Sequence, residues 1–318
     1  MTTHERIAFR GRPAVALRTE ATEAIFFEEF GAKLVSLRER QGDREYLTQG
    51  VQPTHPLPVF DSNYAENDLS GADDMFPSIN VGPYPAYPWQ GVRCPDHGEL
   101  WALPWNLSVE KEILVCEAWG VRLPYRFRRT VSFSSSRCLH FDYEIENPTP
   151  FPMPSIWAFH PLFECPEEAN ILLPESVRTI VNTLDLHNRL GTVGSVHSWP
   201  RTQDKAGESY DLQRVVPHAG VCEKFWAQES LDRGEVRLEF PGSGRYVSVR
   251  FPTETVPYVG IWKNQGGLLG QNNVSIEPAT GALDDLGVSH AFGRHGTVQP
   301  RSVYRFWMEI EHGKRNER

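Results

Sequence analysis

The chain has 318 residues and a formal charge of −9, from 32 Lys and Arg against 41 Asp and Glu. That balance excludes a nucleic-acid phosphate backbone as the main partner, because such binding needs clustered cations. A hydrophobic share of 40% with 23% charged residues likewise excludes global disorder.

The length is about twice that of a usual single domain, which leaves two domains or one oversized all-β domain. Residues 1–20 mix His4, Glu5, Arg6, Arg10 and Arg12 with no apolar stretch, and no later segment approaches 18 apolar residues. Cys94, Cys116, Cys138, Cys165 and Cys222 are odd in number and contain no C-x-x-C pair. Neither a disulfide framework nor a zinc knuckle is therefore signalled. A cytoplasmic protein without a membrane segment is expected. The two N-x-S triplets, at Asn106 and Asn273, carry no weight without a secretion signal.

Strand-type alternation recurs from about Ala14 onward. Residues 49–105 form a long irregular stretch crowded with Pro, Gly, Asn and aromatics; irregular stretches of that length tend to be functional. Leu107, Val109, Ile113 and Val115 make one apolar row, and Val121, Leu123, Tyr125 and Phe127 alternate with Arg122, Arg126 and Arg128. In Cys138 to Glu146 the odd positions are apolar and the even ones polar, the period of a half-buried strand. A second irregular stretch covers about residues 183–213. Val236, Leu238 and Phe240, then Gly242-Ser243-Gly244, then Val247, Val249 and Phe251 predict a hairpin, and Tyr304 to Ile310 a closing strand. Helical crossovers are missing, so an antiparallel sandwich with few short helices is predicted, as a single domain over residues 1–318.

Three segments place a titratable group beside a chain-stiffening residue: Pro95 to Glu99, Trp157 to Phe163, and Val274 to Gly281. Proline after His160 and after Glu277 biases both toward extended backbone, suited to side chains held on a strand. Taken singly, Glu277 reads as a salt-bridge partner or a base, His160 as a core histidine or an acid, and His97 as a turn residue or a ligand contact.

Together these segments resemble the aldose 1-epimerase, or galactose mutarotase, superfamily. The resemblance rests on His97-Gly98 before Pro104-Trp105, on Phe159-His160-Pro161-Leu162-Phe163, and on Ile276-Glu277-Pro278-Ala279-Thr280, in that order. It spans residues 31 to the C-terminus and implies an antiparallel β-supersandwich. By the same resemblance Glu277 is a general base on the anomeric hydroxyl, His160 a general acid on the ring oxygen, and His97 a hydrogen-bonding assistant. No cofactor or metal is implied. The substrate would be a small sugar, and the protein a monomer or homodimer. Sugar rings pack on aromatic faces while their hydroxyls need polar partners, so Trp157, Trp226, Trp262, Asn67, Asp73, Asp74 and Lys224 are candidate substrate-binding residues; Trp89 and Trp101 are further candidates for an aromatic wall. Where the galactose enzymes carry Asn-Arg, this chain reads Gly71-Ala72-Asp73-Asp74-Met75-Phe76-Pro77. The Phe76-Pro77 piece is closer to the hexose 6-phosphate branch, but no arginine cluster for a phosphate stands out. The sugar stays open. Two other readings stand beside catalysis: a non-catalytic carbohydrate-binding protein, and a metal enzyme using His97, Glu99, His160 and Glu277.

Overall fold

The fold is described from a computed structural model covering residues 2–315. Antiparallel sheet dominates, and the one α-helix among the described residues is the short Leu286–Ala291. Among the described residues no helix is long and apolar enough to cross a membrane.

Two large sheets face each other. One has nine strands, built around the long strands Arg126–Ser135, Cys138–Asn147 and Ser302–Lys314. In Cys138–Asn147 the odd residues Leu139, Phe141, Tyr143 and Ile145 are buried, while His140, Asp142, Glu144 and Glu146 are partly or fully exposed. This is the predicted period of two, with one face on the core and the other in water. Glu235–Phe240 and Arg245–Arg250 form the expected hairpin.

The other sheet has thirteen strands, and seven of them carry the rest of the account: β1 (Leu34–Glu39), β2 (Ala72–Met75), β3 (Ala158–Pro161), β4 (Thr179–Asp185), β5 (Val221–Ala227), β6 (Tyr258–Gln265) and β7 (Asn272–Ala279). They lie side by side in the order β1-β2-β3-β7-β6-β5-β4. A contiguous apolar core fills the space between the sheets, from Phe26 and Leu34 through Phe141, Tyr143 and Trp157 to Ile261, Ile276 and Met308. Each fully buried side chain of this kind contributes about 1.5–3 kcal/mol relative to exposure.

Three local expectations differ from what is observed. The row from Leu107 to Val115 is two strands, Asn106–Glu110 and Ile113–Trp119, paired as a tight hairpin around Lys111. Val121 and Leu123 belong to a turn, because the strand begins only at Arg126. The long irregular stretch contributes β2, only four residues long yet inserted in the middle of the larger sheet, too short to show a period by itself.

The alternation also carries a charge inward. Phe127, Arg129 and Val131 point the same way, and Arg129 is fully buried. Its Nη1 lies 2.5 Å from Asp74 Oδ2, and Trp157 Nε1 donates to Asp74 Oδ1 at 2.9 Å. Arg129 belongs to the nine-stranded sheet and Asp74 to the thirteen-stranded one, so this ion pair ties the two together. Burial raises the Asp74 carboxyl above the usual carboxylate range, against the opposing pull of Arg129 and Trp157. Removing only the cation would leave that carboxylate uncompensated. Arg129→Met is expected to cost about 3–5 kcal/mol in chemical denaturation, and Arg129→Met with Asp74→Asn to recover much of it. In the single variant the raised carboxyl binds a proton in the folded state before the unfolded one, so its stability should rise as pH falls. A single variant as stable as the parent would contradict this account.

Candidate active site

The sheet register assembles a row of side chains. His160 pairs with Asp73 across β2 and β3, and the register that pairs Ala158 with Ala279 sets His160 opposite Glu277 on β7. Glu277 in turn stands opposite Gly260 on β6, and Gly260 opposite Trp226 on β5. One row further along the same face lie Ser275, Trp262 and Lys224. Because side chains alternate, Ile276, Ile261 and Phe225 take the opposite face and enter the core. Gly260 has no room for a side chain, since a Cβ there would come within 2.9 Å of the Trp226 ring.

The chemistry centres on Glu277, which is fully buried. His160 Nε2 lies 3.6 Å from its Oε1, and Lys224 Nζ lies 2.7 Å from its Oε2. Lys224 is also 2.8 Å from Asp284 Oδ1, which accepts a hydrogen bond from Trp226 Nε1 at 3.1 Å. Beyond the Lys224 ammonium, neither oxygen of Glu277 has a hydrogen-bond donor among the described residues. Burial therefore dominates, with Asp284 adding to it and Lys224 opposing, and the Glu277 pKa is pushed up to about 7. Lys224 moves the other way: burial works against its charge, but Asp284 and Glu277 outweigh burial and hold it above the ordinary lysine value. Burial, then His97, Lys224 and Lys33, keep His160 well below the usual histidine value, so it is neutral at pH 7.

On the far side of His160 a second set of contacts fixes the ring. Tyr64 donates its hydroxyl proton to Asp73 Oδ2 at 2.8 Å, and Lys33 Nζ reaches the same oxygen at 2.8 Å. The Tyr64 oxygen, 3.5 Å from His160 Nδ1, is then free to accept from it, which turns the Nε2 lone pair toward Glu277. His97 stacks on Tyr64 with centroids 4.0 Å apart, and its Nδ1 is 2.9 Å from Asp96 Oδ1. It has a positive φ, as does Gly98, where a Cβ would lie 2.2 Å from the Phe76 carbonyl oxygen. Glycine at 98 lets this loop press onto the end of β2 and so delivers His97 beside His160, ring centroids 5.5 Å apart.

These groups border a cavity of about 310 Å³. That is at the small end of the ~300–1,000 Å³ typical of ligand sites, and on the scale of a monosaccharide. Tyr64, His97, His160, Lys224, Trp262 and Asp284 line it, while Glu277 sits sealed beneath His160 and Lys224.

The candidates from sequence thus divide. Glu277, His160, His97, Lys224 and Trp262 come together at or under the cavity. Asp74 and Trp157 do not: they point to the opposite face from Asp73 and His160 and form the knot with Arg129, because neighbours one or three residues apart on a strand cannot share a face. Trp226 is buried and orients Asp284 instead of offering its face to a ligand. Asp73 and Asn67 border a separate small recess behind Tyr64, where the Asn67 amide donates to Ser62 and Asn63. Trp89 packs against Tyr84 and Phe151, and Trp101 stands edge-on to Tyr64 with its Nε1 donating to the Asp96 carbonyl. Glu99 is spent on the Val121 and Arg122 amides and the Tyr125 hydroxyl, so it does not join His97, His160 and Glu277 as a ligand set. Among the described residues no cluster of three or more potential ligands fits a metal. Tyr64, Lys33 and Asp284 were not anticipated. Asp284 had a faint signal, as a carboxylate just past the Glu277 motif; Tyr64 and Lys33 had none.

No family model and no curated protein sequence matches the chain. Solved structures do match. Slr1438 protein from Synechocystis sp. PCC 6803 has a TM-score of 0.70 at 15% identity, covering 98% of this chain and 99% of that one. A galactose mutarotase-like protein from Lactobacillus casei ATCC 334 has a TM-score of 0.68 at 15% identity, covering 94% and 100%. A galactose mutarotase related enzyme from Lactobacillus acidophilus has 0.66 at 15%, covering 95% and 97%. The fold is therefore galactose mutarotase-like, over nearly the whole chain.

The electrostatics can be measured directly. With ¹³C-labelled glutamate, one carboxyl is expected to titrate near pH 7, to vanish in Glu277→Gln, and to move higher in Lys224→Met, which removes the opposing cation. Since this folded pKa exceeds the unfolded value, the group should also make folding less favourable as pH rises from about 4.5 to 7. A full set of carboxyls titrating below pH 5.5 would contradict the assignment.

Proposed function

We propose that the protein is an aldose 1-epimerase, interconverting the α and β anomers of a small sugar by general acid/base catalysis at Glu277 and His160. The observation that carries this reading is the 3.6 Å approach of a buried carboxyl to a neutral imidazole that lines a sugar-sized cavity, the carboxyl lying directly beneath it. A pair this close titrates as a unit. Below about pH 7 it holds one proton, which rests on Glu277 because His160 is the poorer base.

One shared proton is what the reaction requires. In ring opening the O1–H proton passes to Glu277 as the C1=O1 double bond forms. The C1–O5 bond breaks, and O5 keeps its electron pair and takes a proton from His160. The open aldehyde rotates about C1–C2 and recloses on either face by the reverse transfers, leaving the enzyme unchanged. The resting state, Glu277 protonated and His160 neutral, is the state reached after opening; binding of the closed sugar moves the proton across to Nε2. For O1 to reach Oε2 the Lys224 ammonium gives way, and its contact with Asp284 keeps it paired when it does. His97 is placed to donate to a sugar oxygen. No step calls for a redox cofactor, and five unpaired cysteines suit a reducing, cytoplasmic setting.

A second reading, carbohydrate binding without turnover, draws on one observation: Glu277 is sealed beneath Lys224 in the unliganded arrangement. Exchange kinetics separate the two. Glu277→Gln and His160→Asn should each slow anomer exchange, followed by saturation-transfer NMR, by at least about 10² while the circular dichroism stays unchanged. For the parent protein kcat/KM should fall as pH rises through about 7, when the pair loses its proton. A rate that is flat or increasing between pH 6 and 8 would contradict the shared-proton mechanism.

A further inference from the structure

Resting on the reading above, we propose that the sugar is an uncharged aldose of low polarity, of the deoxy or O-alkyl class, and not a sugar phosphate. Away from the acid/base groups the cavity wall is mainly aliphatic, with Leu69, Ile79, Leu162, Leu184, Leu186 and Leu268 interrupted by Trp262, Asn80, Thr183 and Gln271. A fully hydroxylated hexose pressed against such a wall would lose hydrogen bonds to water with nothing in exchange, at a penalty of about tenfold or more in affinity per hydroxyl.

Most polar atoms of that wall are already engaged. Gln271 donates to the Leu69 carbonyl at 3.0 Å and accepts from Asn273 at 3.2 Å. Thr183 donates to the Lys224 carbonyl at 3.5 Å. What remains for hydroxyls is the cluster of His97, His160 and Asp284, with Asn80 beside it, its backbone N–H donating to the Asp284 carbonyl oxygen at 2.7 Å. That cluster is engaged by O1, O5 and their immediate neighbours.

Charge points the same way. Among the described residues Lys224 is the one Lys or Arg lining the cavity, and Glu277 and Asp284 both hold it. That cation is already engaged by both carboxylates, so a phosphate dianion would find no free cationic partner in the cavity. The mouth is also apolar: Leu186 is 51% exposed and Leu269, next to the lining Leu268, is 70% exposed. Water-facing leucines at a cavity rim fit a ligand that brings alkyl surface to cover them.

The test compares matched pairs. Anomer exchange and binding, the latter by saturation-transfer difference NMR, are measured for D-fucose against D-galactose, and for 2-deoxy-D-glucose, 3-O-methyl-D-glucose and D-glucose 6-phosphate against D-glucose. At least one deoxy or O-methyl sugar is expected to exceed its parent about tenfold in kcat/KM, and the 6-phosphate to fall at least tenfold below glucose. Leu186→Gln, at an exposed position outside the acid/base groups, should shrink the deoxy preference. If the ranking appears in binding but no sugar undergoes exchange, the substrate class stands and the catalytic reading falls. A parent hexose at or above its analogue in every pair, or the 6-phosphate above glucose, overturns the proposal.

Discussion

A carboxyl group taken out of water is the constraint around which this protein is organised. Burying Glu277 would be prohibitive for the bare anion, and the surroundings resolve this only in part. Lys224 supplies a counter-charge at 2.7 Å, but Asp284 shares the same cation. The result is a group poised near neutrality, in place of either a stable anion or a permanently protonated acid. Burial pushes His160 in the opposite sense, 3.6 Å away. Both shifts have the same first cause, the dry interior of the sheet.

The strand register makes that juxtaposition inexpensive to maintain. Asp73, His160, Glu277, Gly260 and Trp226 stand in one cross-strand row, so backbone hydrogen bonds across five strands fix their spacing before any side chain is placed. Side-chain contacts then set orientation: Lys33 and Asp73 hold Tyr64, Tyr64 turns His160, and Trp226 holds Asp284. Beneath the row, the Arg129–Asp74–Trp157 knot joins the two sheets. A rigid site on strands is what acid/base work at fixed distances needs.

The sequence made the frame legible because period-two alternation is strong in long, half-buried strands such as Cys138–Asn147. It hid β2, whose four residues are all buried and show no alternation. The residues under the cavity were legible where a stiffening proline follows a titratable group, as at His160 and Glu277. Two binding candidates fall away from the cavity for one physical reason. Asp74 and Trp157 lie close in sequence to site residues but on the wrong parity of their strands, so nearness along the chain sent them to the opposite face. Tyr64 and Lys33 could not be found from sequence, because they reach His160 through a loop and a strand end whose approach depends on the whole fold.

The central claim is that this buried pair turns sugar over, and saturation-transfer NMR on an equilibrated aldose in the presence of the unmodified protein tests it most directly. The account predicts magnetisation exchange between the α and β C1 protons that grows in proportion to protein concentration at pH 6.5. Sugar that binds in the cavity, with exchange no faster than in buffer, would contradict it.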